Sequence, residues 1–543
     1  MAAGTPLPTR YRWAAPGDLN AFFGLMLDNV MNLVILAGIL IGVFGFPRDV
    51  VYTRMFPGTA LGVLFGDLVY TWMAFRLARR EGRHDVTAMP LGLDAPSTIG
   101  MAFAVLGPAF VAAKARLPEH EAAIEAWQVG MACLILMGLF KLGMAFIGGA
   151  IQRAVPKAGL LGSIAGVGIA LMGALQLGEI LAEPVVGMVS LFLIFYTLIA
   201  RRRLPFGIPG VVGSVAIGAL VYYTLGGLGL LLHPMARPEL TFTVALPWPS
   251  LGFVTGLPIA VNQYLPMAIP FAILTVIGGI NVTESARLAG DAYRTRSILL
   301  TEAIATLVAA VCGGVSQTTP YIGHPAYKAM GGRAAYTLAA GLFVGLGGIL
   351  GYIPFLAMIL PIACLAPILI FVAFDIVAQA FQETPAAHAG AVCFAIFPSI
   401  AQLILIVLDK ASPLLTTSAL EPQRVAETLK IPLVFAENFG VFVVLAHGFI
   451  LTGMLWGAAL AFLVDRRIGA TAVALLAAAA LSAFGLIHSV LPTGGIYVPW
   501  SPALLGSRMP YHWAAAYAAV ALMVLALGRL DPGQPPAPAL EST

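Results

Sequence analysis

Apolar stretches of about 20 residues, separated by short polar turns, follow one another along nearly the whole chain. Each stretch is long enough to cross a hydrocarbon core about 30 Å thick, and together with a broken segment at 318–331 they predict about sixteen crossings. Fourteen of these form two sets of seven, so the pattern predicts an all-α polytopic membrane protein. The stretches begin near Leu19, Pro57, Ala95, Ile124, Pro156, Pro184, Phe206, Pro266, Ser297, Arg333, Phe355, His388, Phe439, Ile468 and His512.

Two of the apolar stretches are interrupted by polar, proline-containing segments, at 89–97 and 317–328. In both, an ionisable residue follows a proline by four positions: Asp94 after Pro90, and His324 after Pro320. Irregular backbone at membrane depth survives only where protein or a polar cavity surrounds it. Matching interruptions in the two halves of a membrane protein are typical of inverted-repeat transporters that bind substrate near the midplane. We therefore expect a substrate site between the two breaks.

The same periodicity divides the chain into five parts. We expect an N-terminal cytoplasmic segment at 1–18, a first seven-span repeat at 19–230 and a second at 258–465. A C-terminal helical hairpin at 466–530 and a Pro-rich disordered tail at 531–543 follow.

Composition supports a membrane location. Hydrophobic residues make up 60% of the chain and charged residues 10%, where a soluble domain carries about 25% charged residues. Lys and Arg recur in alternate turns, as at Arg79, Arg80 and Arg83, and this bias places the N-terminus in the cytoplasm. We expect a bacterial inner (plasma) membrane protein that binds no nucleic acid, because the net charge of +4 is spread over short turns.

Polar residues within the apolar stretches are the candidate functional groups. Asn281, Glu284 and Arg287 in span eight are spaced to share one helix face. Glu284 either binds substrate or a coupling cation, or pairs with Arg287 at the helix end. Function is the default interpretation of an ionisable group inside a span. Asp67, Glu302 and Asp375 are isolated acids for which a helix-end or helix-pairing role is favoured over a proton site.

The breaks supply a second set of candidates. His324 and Asp94 are expected to contact substrate, although a lone His is often a satisfied core residue. Thr318 and Thr319 either offer hydroxyls to substrate or bond the local backbone. The remaining predicted lining residues are Ala95 and Gly323.

Span one carries a further polar stripe, formed by Asp28, Asn29 and Asn32. Interhelical hydrogen bonding and a functional role are equally plausible for it. Asp28, Asp94 and Glu284 are the candidates for coupling transport to a proton or sodium gradient. No catalytic residue, metal site or other cofactor is expected, because no P-loop, HExxH or Cys/His cluster is present in the sequence.

Two stretches resemble the xanthine/uracil permease family (nucleobase:cation symporter-2), and most closely its hypoxanthine/adenine/guanine branch. They are the run from Tyr321 to Gly331-Gly332-Arg333, and Gly92-Leu93-Asp94-Ala95. The resemblance implies two inverted repeats of seven spans, a core domain moving against a gate domain, and short strands in spans three and ten beside the substrate. The sequence departs from the family where an acid is expected, at Ile277 in span eight and Gly323 in span ten.

The leading functional prediction is a secondary active transporter of a small polar solute, a nucleobase or related heterocycle, driven by protons or sodium through alternating access. The alternative is an anion or carboxylate transporter of sulfate-permease-like architecture, which the missing acids and the half-helix N-termini favour. A channel is less favoured because broken spans buried within repeats suit a closed, alternating-access site. A membrane enzyme is less favoured because no nucleophile or metal cluster is visible. The expected partners are a small-molecule substrate and the lipid bilayer, and homodimerisation is left open.

Overall fold

The structure is a computed structural model. It describes residues 11–146, 156–200, 202, 204–205, 208, 210–235, 243–321, 323–411, 423, 426–427, 430, 432–491, 494–500 and 509–530. The predicted disordered tail at 531–543 lies outside the described residues, as do positions 1–10 of the predicted N-terminal segment.

Helices dominate the described part of the chain, and two three-residue strands interrupt them. In the first half the elements are α1 (Gly17–Val43), α2 (Val50–Glu81), β1 (Leu91–Leu93), α3 (Ala95–Lys114), α4 (Glu119–Met144), α5 (Lys157–Ala182), α6 (Pro184–Ile199) and α7 (Gly210–Gly227). In the second half they are α8 (Gly252–Leu288), α9 (Thr295–Val311), β2 (Thr318–Pro320), α10 (His324–Ala329), α11 (Ala335–Leu350), α12 (Tyr352–Ile359) and α13 (Ile362–Gln382). The chain continues with α14 (Ala389–Ala411), α15 (Leu433–Ala446), α16 (Phe449–Val464), α17 (Ile468–Ala483) and α18 (Met509–Leu530).

Ten helices in the described ranges are long and apolar enough to cross a membrane, or up to twelve if each of two bent pairs is one span. This is fewer than the about sixteen crossings expected from stretch length alone. Some apolar stretches form short helices, such as α6 and α17, and others bend. The α11–α12 pair bends by 77° at Gly351 and the α15–α16 pair by 86° at Gly448. Both glycines have positive φ, 84° and 75°, a conformation that disfavours residues with a Cβ.

The two strands lie at the two predicted breaks and pair with each other. The pairing is antiparallel, with Leu91 opposite Pro320, Gly92 opposite Thr319 and Leu93 opposite Thr318. The expected short strands in spans three and ten are therefore confirmed. Each strand leads into a helix, α3 after β1 and α10 after β2, so the pairing places the beginnings of two half-helices near one another.

The described chain separates into two compact units. The first contains residues 1–154 and 167–375, and the second contains 155–166 and 376–543. Both broken segments belong to the first unit. In the second unit α14 packs against α15 and α16, and α17 packs against α18. The predicted bounds of the two repeats, of the C-terminal hairpin and the membrane orientation stay predictions.

Small residues allow α2 and α11 to approach closely in the first unit. Gly341, Gly345 and Gly348 lie along one face of α11, and a Cβ at Gly348 would come within 2.4 Å of the Ala60 Cβ. A Cβ at Gly341 would come within 2.6 Å of the Asp67 Cβ. Glycine faces are typical of helix pairs packed inside a bilayer. The contact fixes Asp67 beside β1.

Candidate functional site

Side chains from neighbouring helices satisfy the free edge of β1. The backbone N–H of Leu93 donates to Asn29 Oδ1 at 2.8 Å, and the N–H of Leu91 donates to Asp67 Oδ1 at 3.1 Å. Asn29 and Asp67 are both fully buried. Since an unpaired N–H at membrane depth costs several kcal/mol, these two side chains hold the strand in place. Asn29 and Asp67 therefore have a backbone-pairing role in the structure.

A buried ion pair lies on the other side of the sheet, against β2. Lys141 Nζ on α4 is 2.6 Å from Glu302 Oε1 on α9, and the two side chains are 1% and 0% exposed. The same ammonium donates to the carbonyl oxygen of Thr318 at 2.8 Å and to Gln317 Oε1 at 3.3 Å. The pairing of Glu302 agrees with the helix-pairing role expected of it. Lys141 joins α4 and α9 to the second break.

Asp94 forms the N-cap of α3. Its Oδ2 accepts a hydrogen bond of 2.9 Å from the backbone N–H of Ser97, and its own N–H continues the strand pairing by donating to the Gln317 carbonyl oxygen at 3.2 Å. A carboxylate at this position satisfies a free helix N–H and interacts favourably with the helix dipole. The side chain of Asp94 is partly exposed. The beginning of α3 thus already holds one carboxylate, next to the strand crossing.

The two threonines of β2 differ in their surroundings. Thr318 is fully buried, and its hydroxyl lies 3.2 Å from Thr306 Oγ1, so it bonds within the scaffold. Thr319 lies opposite Gly92 and shares a sheet face with it. A Cβ at Gly92 would be 3.6 Å from Asp28 Oδ2. Thr319, Gly92 and Asp28 are therefore placed on the same side of the crossing.

His324 lies at the start of α10 and is fully buried. Its Nε2 is 3.3 Å from Asp291 Oδ2 and 3.3 Å from the Thr87 carbonyl oxygen. Among the residues that the structure describes, its other ring nitrogen, Nδ1, has no hydrogen-bond partner. His324 is thus joined to the segments preceding β1 and following α8. Its expected contact with substrate stays a prediction.

Asp291 connects three parts of the first unit. Its Oδ1 is 2.6 Å from Lys328 Nζ and 3.2 Å from Arg83 Nη2, and its Oδ2 accepts the Thr87 N–H at 3.1 Å. Burial alone would raise the pKa of Asp291. Hydrogen bonds from His324 and Lys328 and from the Thr87 N–H outweigh burial and hold the pKa below its usual range. The carboxylate is a charged junction between the segment that joins α2 to β1, the second break and the α8–α9 turn.

The predicted site residues fall into five groups. Asp28, Asp94, Ala95 and Thr319 lie at or beside the strand crossing, whereas His324 belongs to the Asp291 junction. Gly323 makes room for aromatic rings, because a Cβ there would be 2.8 Å from ring carbons of Tyr321 and Tyr327. The list is completed by Thr318, which faces α9, and by Asn281 and Glu284, which are on α8 with side chains outside the described part of the structure.

Two residues of this region, Lys141 and Asp291, are absent from the sequence-based candidates. Lys141 carried a usable signal, since a lysine inside an apolar span needs a partner. The sequence signal for Asp291 is weaker, because this residue follows the end of a helix, where an acid is ordinarily solvated. Arg83 and Lys328, its partners, were accounted for by the positive-inside rule alone.

The fold is of the 7+7 inverted-repeat type, in which two short strands pair between two half-helices within an all-α membrane protein. The chain has this fold in common with SLC26A9: the TM-score is 0.51 at 12% identity, over 72% of this chain and 64% of that chain. The SLC26A9 match thus spans slightly less than two thirds of that protein. No protein-family model matches the sequence, and no curated protein matches it.

Two further solved structures are similar at lower TM-scores. One is the transmembrane domain of the cyanobacterial bicarbonate transporter BicA, with TM-score 0.48 and 18% identity over 72% of this chain and 97% of that one. The other is murine Slc26a9, described as an anion transporter in the inward-facing state, with TM-score 0.48 and 11% identity over 75% of this chain and 69% of that one.

The resemblance to the xanthine/uracil permease family is wrong, because the fold is shared with SLC26A9. The residues that carried the resemblance have local roles. Gly331 adopts φ of 85° in the turn after α10, and the Arg333 N–H donates to Asp18 Oδ1 at 2.8 Å. Such glycine turns recur wherever a short helix must reverse direction, so they do not identify a substrate.

Proposed function

We propose that the protein is a secondary active carrier of a small anion, of the carboxylate or bicarbonate type. The observation that carries the proposal is the Asp94 carboxylate, which accepts the Ser97 N–H at the start of α3 beside the β1–β2 crossing. A protein carboxylate seated at this helix end indicates that the position suits a carboxylate. The fold shared with SLC26A9 supports the transporter class, and the site geometry supports the anion.

Helix polarity favours an anion at this position. The helical run from Ala95 to Lys114 is 20 residues long, and its aligned peptide dipoles place about half a positive charge at its beginning. Free N–H groups at a helix N-terminus bind carboxylate and phosphate oxygens readily. The Lys141 charge is matched by Glu302, so that pair adds no net attraction. The helix end is the source of anion affinity in this proposal.

Asp94 also suggests how transport is coupled to a gradient. When ionised, its carboxylate occupies the helix end and competes with a substrate anion. When protonated, it loses its charge and releases the position, so a proton and an anion bind together. Asp28, on the same side of the strands, is a second carboxylate that would repel an anion until neutralised. Coupling by a proton is therefore proposed in preference to sodium.

Proteoliposome uptake tests the proposal. Purified protein is reconstituted and given labelled bicarbonate, formate, acetate, fumarate or sulfate, with an inward proton gradient, an inward sodium gradient or neither. We expect saturable accumulation of at least one of these anions with the proton gradient only. Protein-free liposomes and liposomes with a proton ionophore are the controls.

Two results would contradict the proposal. Flux that rises without saturation and follows the membrane potential alone would indicate a channel. Saturable uptake of a neutral solute, with no uptake or competition by any anion of the set, would remove the anion from the proposal while leaving the carrier class intact.

A further inference from the structure

A cavity of about 160 Å³ lies between the last turns of α2 and the start of α9, away from the strand crossing. Three arginines line it, and none of its lining residues is acidic. In the part of the chain that the structure describes, none of the three pairs with a carboxylate, and Arg76 lies over the Trp72 ring at 5.4 Å. The arginines are Arg76, Arg80 and Arg294.

Along the face of α2 that leads to this cavity, the side chains change from aliphatic to aromatic to basic. Leu68, Trp72, Arg76 and Arg80 recur every fourth residue and so lie along one side of the helix. Leu68 is 44% exposed and Trp72 is 56% exposed, and both arginines are exposed. The order runs from aliphatic to aromatic to basic. Lipid-facing surfaces follow the same order from hydrocarbon through the interface to the headgroups.

The start of α9, on the opposite side of the cavity, shows the same change from basic to exposed apolar residues. Arg294 and Ser297 line the cavity, and Ile304, two turns further along α9, is 41% exposed. The dipole of this 17-residue helix adds positive potential at its beginning. Two neighbouring helices thus present basic groups at one level and exposed apolar side chains at the next.

We propose that this cavity binds the phosphate headgroup of an anionic phospholipid, whose acyl chains lie along the exposed face at Leu68 and Trp72. Guanidinium groups form paired, planar hydrogen bonds with phosphate oxygens. Basic pockets between membrane-spanning helices are recurrent sites for such headgroups. A soluble phosphate has the same chemistry as the headgroup, but it has no acyl chains to contact Leu68 and Trp72.

Lipid titration of the purified full-length protein tests the proposal. Phosphatidylglycerol or phosphatidylcholine is added to delipidated protein, and bound lipid is measured by native mass spectrometry together with the thermal unfolding temperature. We expect saturable binding of phosphatidylglycerol and stabilisation by it, with little effect of phosphatidylcholine. In the triple variant Arg76→Gln, Arg80→Gln, Arg294→Gln, the affinity should fall by at least about tenfold, given the contribution of each basic residue near a lipid surface.

Arg79→Gln is the matched control. Arg79 is exposed and directly precedes Arg80 on the same helix but does not line the cavity, so this variant should keep wild-type affinity. If the triple variant does not fold, the three single variants are compared with Arg79→Gln instead, and each should show part of the loss.

Three outcomes would overturn the lipid site. Equal phosphatidylglycerol affinity in the wild type and the cavity variants would show that the arginines do not bind it. An equal loss in Arg79→Gln would reduce the effect to general surface charge. Saturable binding of inorganic phosphate that the cavity variants lose, without lipid binding, would assign the cavity to a soluble phosphate.

Discussion

Asn29 supplies the hydrogen bond that a third strand would give to Leu93: its Oδ1 accepts the Leu93 N–H at 2.8 Å, within a fully buried environment. An asparagine on α1 thus completes the two-stranded sheet at one edge. In water this bond would be exchangeable, but at membrane depth no solvent replaces it.

The first prediction concerns this bond. Asn29→Leu should lower the free energy of unfolding by about 1–3 kcal/mol, because it leaves a buried N–H without a partner. Asn32→Leu is the control on the same helix. Asn32 donates to Asp28 within α1 and reaches the strand by a 3.5 Å bond to the Leu93 carbonyl oxygen, so its loss leaves no strand N–H without a partner and should cost less. Thermal unfolding in detergent measures both. An equal or larger loss for Asn32→Leu would show that Asn29 does not support the strand.

The second prediction concerns the ion pair of Lys141 and Glu302. Lys141→Met or Glu302→Met alone should destabilise the fold by about 3–5 kcal/mol, because each leaves an unmatched charge in the interior. The double variant Lys141→Met, Glu302→Met should recover part of that loss, since no buried charge is left. Thermal unfolding of the four proteins gives the coupling. Strictly additive losses would mean that the two side chains do not interact.

The third prediction distinguishes two coupling candidates. Asp94→Asn keeps the size and hydrogen-bonding capacity of the side chain but removes its titration, so it should abolish proton-driven accumulation and retain exchange of substrate between two equal pools. Glu284→Gln should do the same if Glu284 is the coupling group. Uptake and exchange assays on both variants decide between them. Asp49→Asn, an exposed acid outside the spans, is the control and should behave as wild type.

The fourth prediction uses the charge of Asp291. Its depressed pKa means that its contribution to stability is fully present above the unfolded value of about 3.9 and is lost as the pH falls through the lower folded value. Asp291→Asn should therefore be less stable than wild type at pH 7, and the difference should shrink as the pH falls below about 4. A difference that does not change with pH would mean that the carboxylate contributes by shape alone.

The fifth prediction separates the two possible roles of His324. If it acts through Asp291, His324→Ala should lower the unfolding temperature and leave substrate affinity unchanged. If it contacts substrate, affinity should fall while the unfolding temperature is kept. Measuring substrate binding and thermal unfolding on the same preparation tells these apart. His324→Gln, which keeps a donor for the buried carboxylate, should restore most of the stability in the first case.

The sequence was informative where a local rule applies to a single residue. Pro90 and Pro320 revealed both breaks, because proline removes a backbone donor and disfavours a continuous helix. Glu302 was expected to have a partner, because an unpaired acid inside an apolar span is costly. Each of these inferences depended on the cost of a polar group in hydrocarbon, and the structure agrees with them.

Partners across the fold were beyond the reach of periodicity. Helical spacing gives the face on which Lys141 lies but not the helix that packs against that face, so its pairing with Glu302 could not be derived. Asp291 shows the same limit, because its four partners come from segments far apart in sequence. Turn glycines such as Gly331 suggested a family for which the solved structures give no support, since turn geometry is common to many folds.

The strand pair also constrains how the protein is made. β1 is synthesised and inserted long before β2, which belongs to the other half of the chain. Until residues 318–320 enter the membrane, the inner edge of β1 has no strand partner. Asn29 and Asp67, which lie on helices flanking β1 in the first half, are available from the start to bond its outer N–H groups. We expect these two side chains to hold β1 in its extended conformation until β2 is inserted and pairs with it.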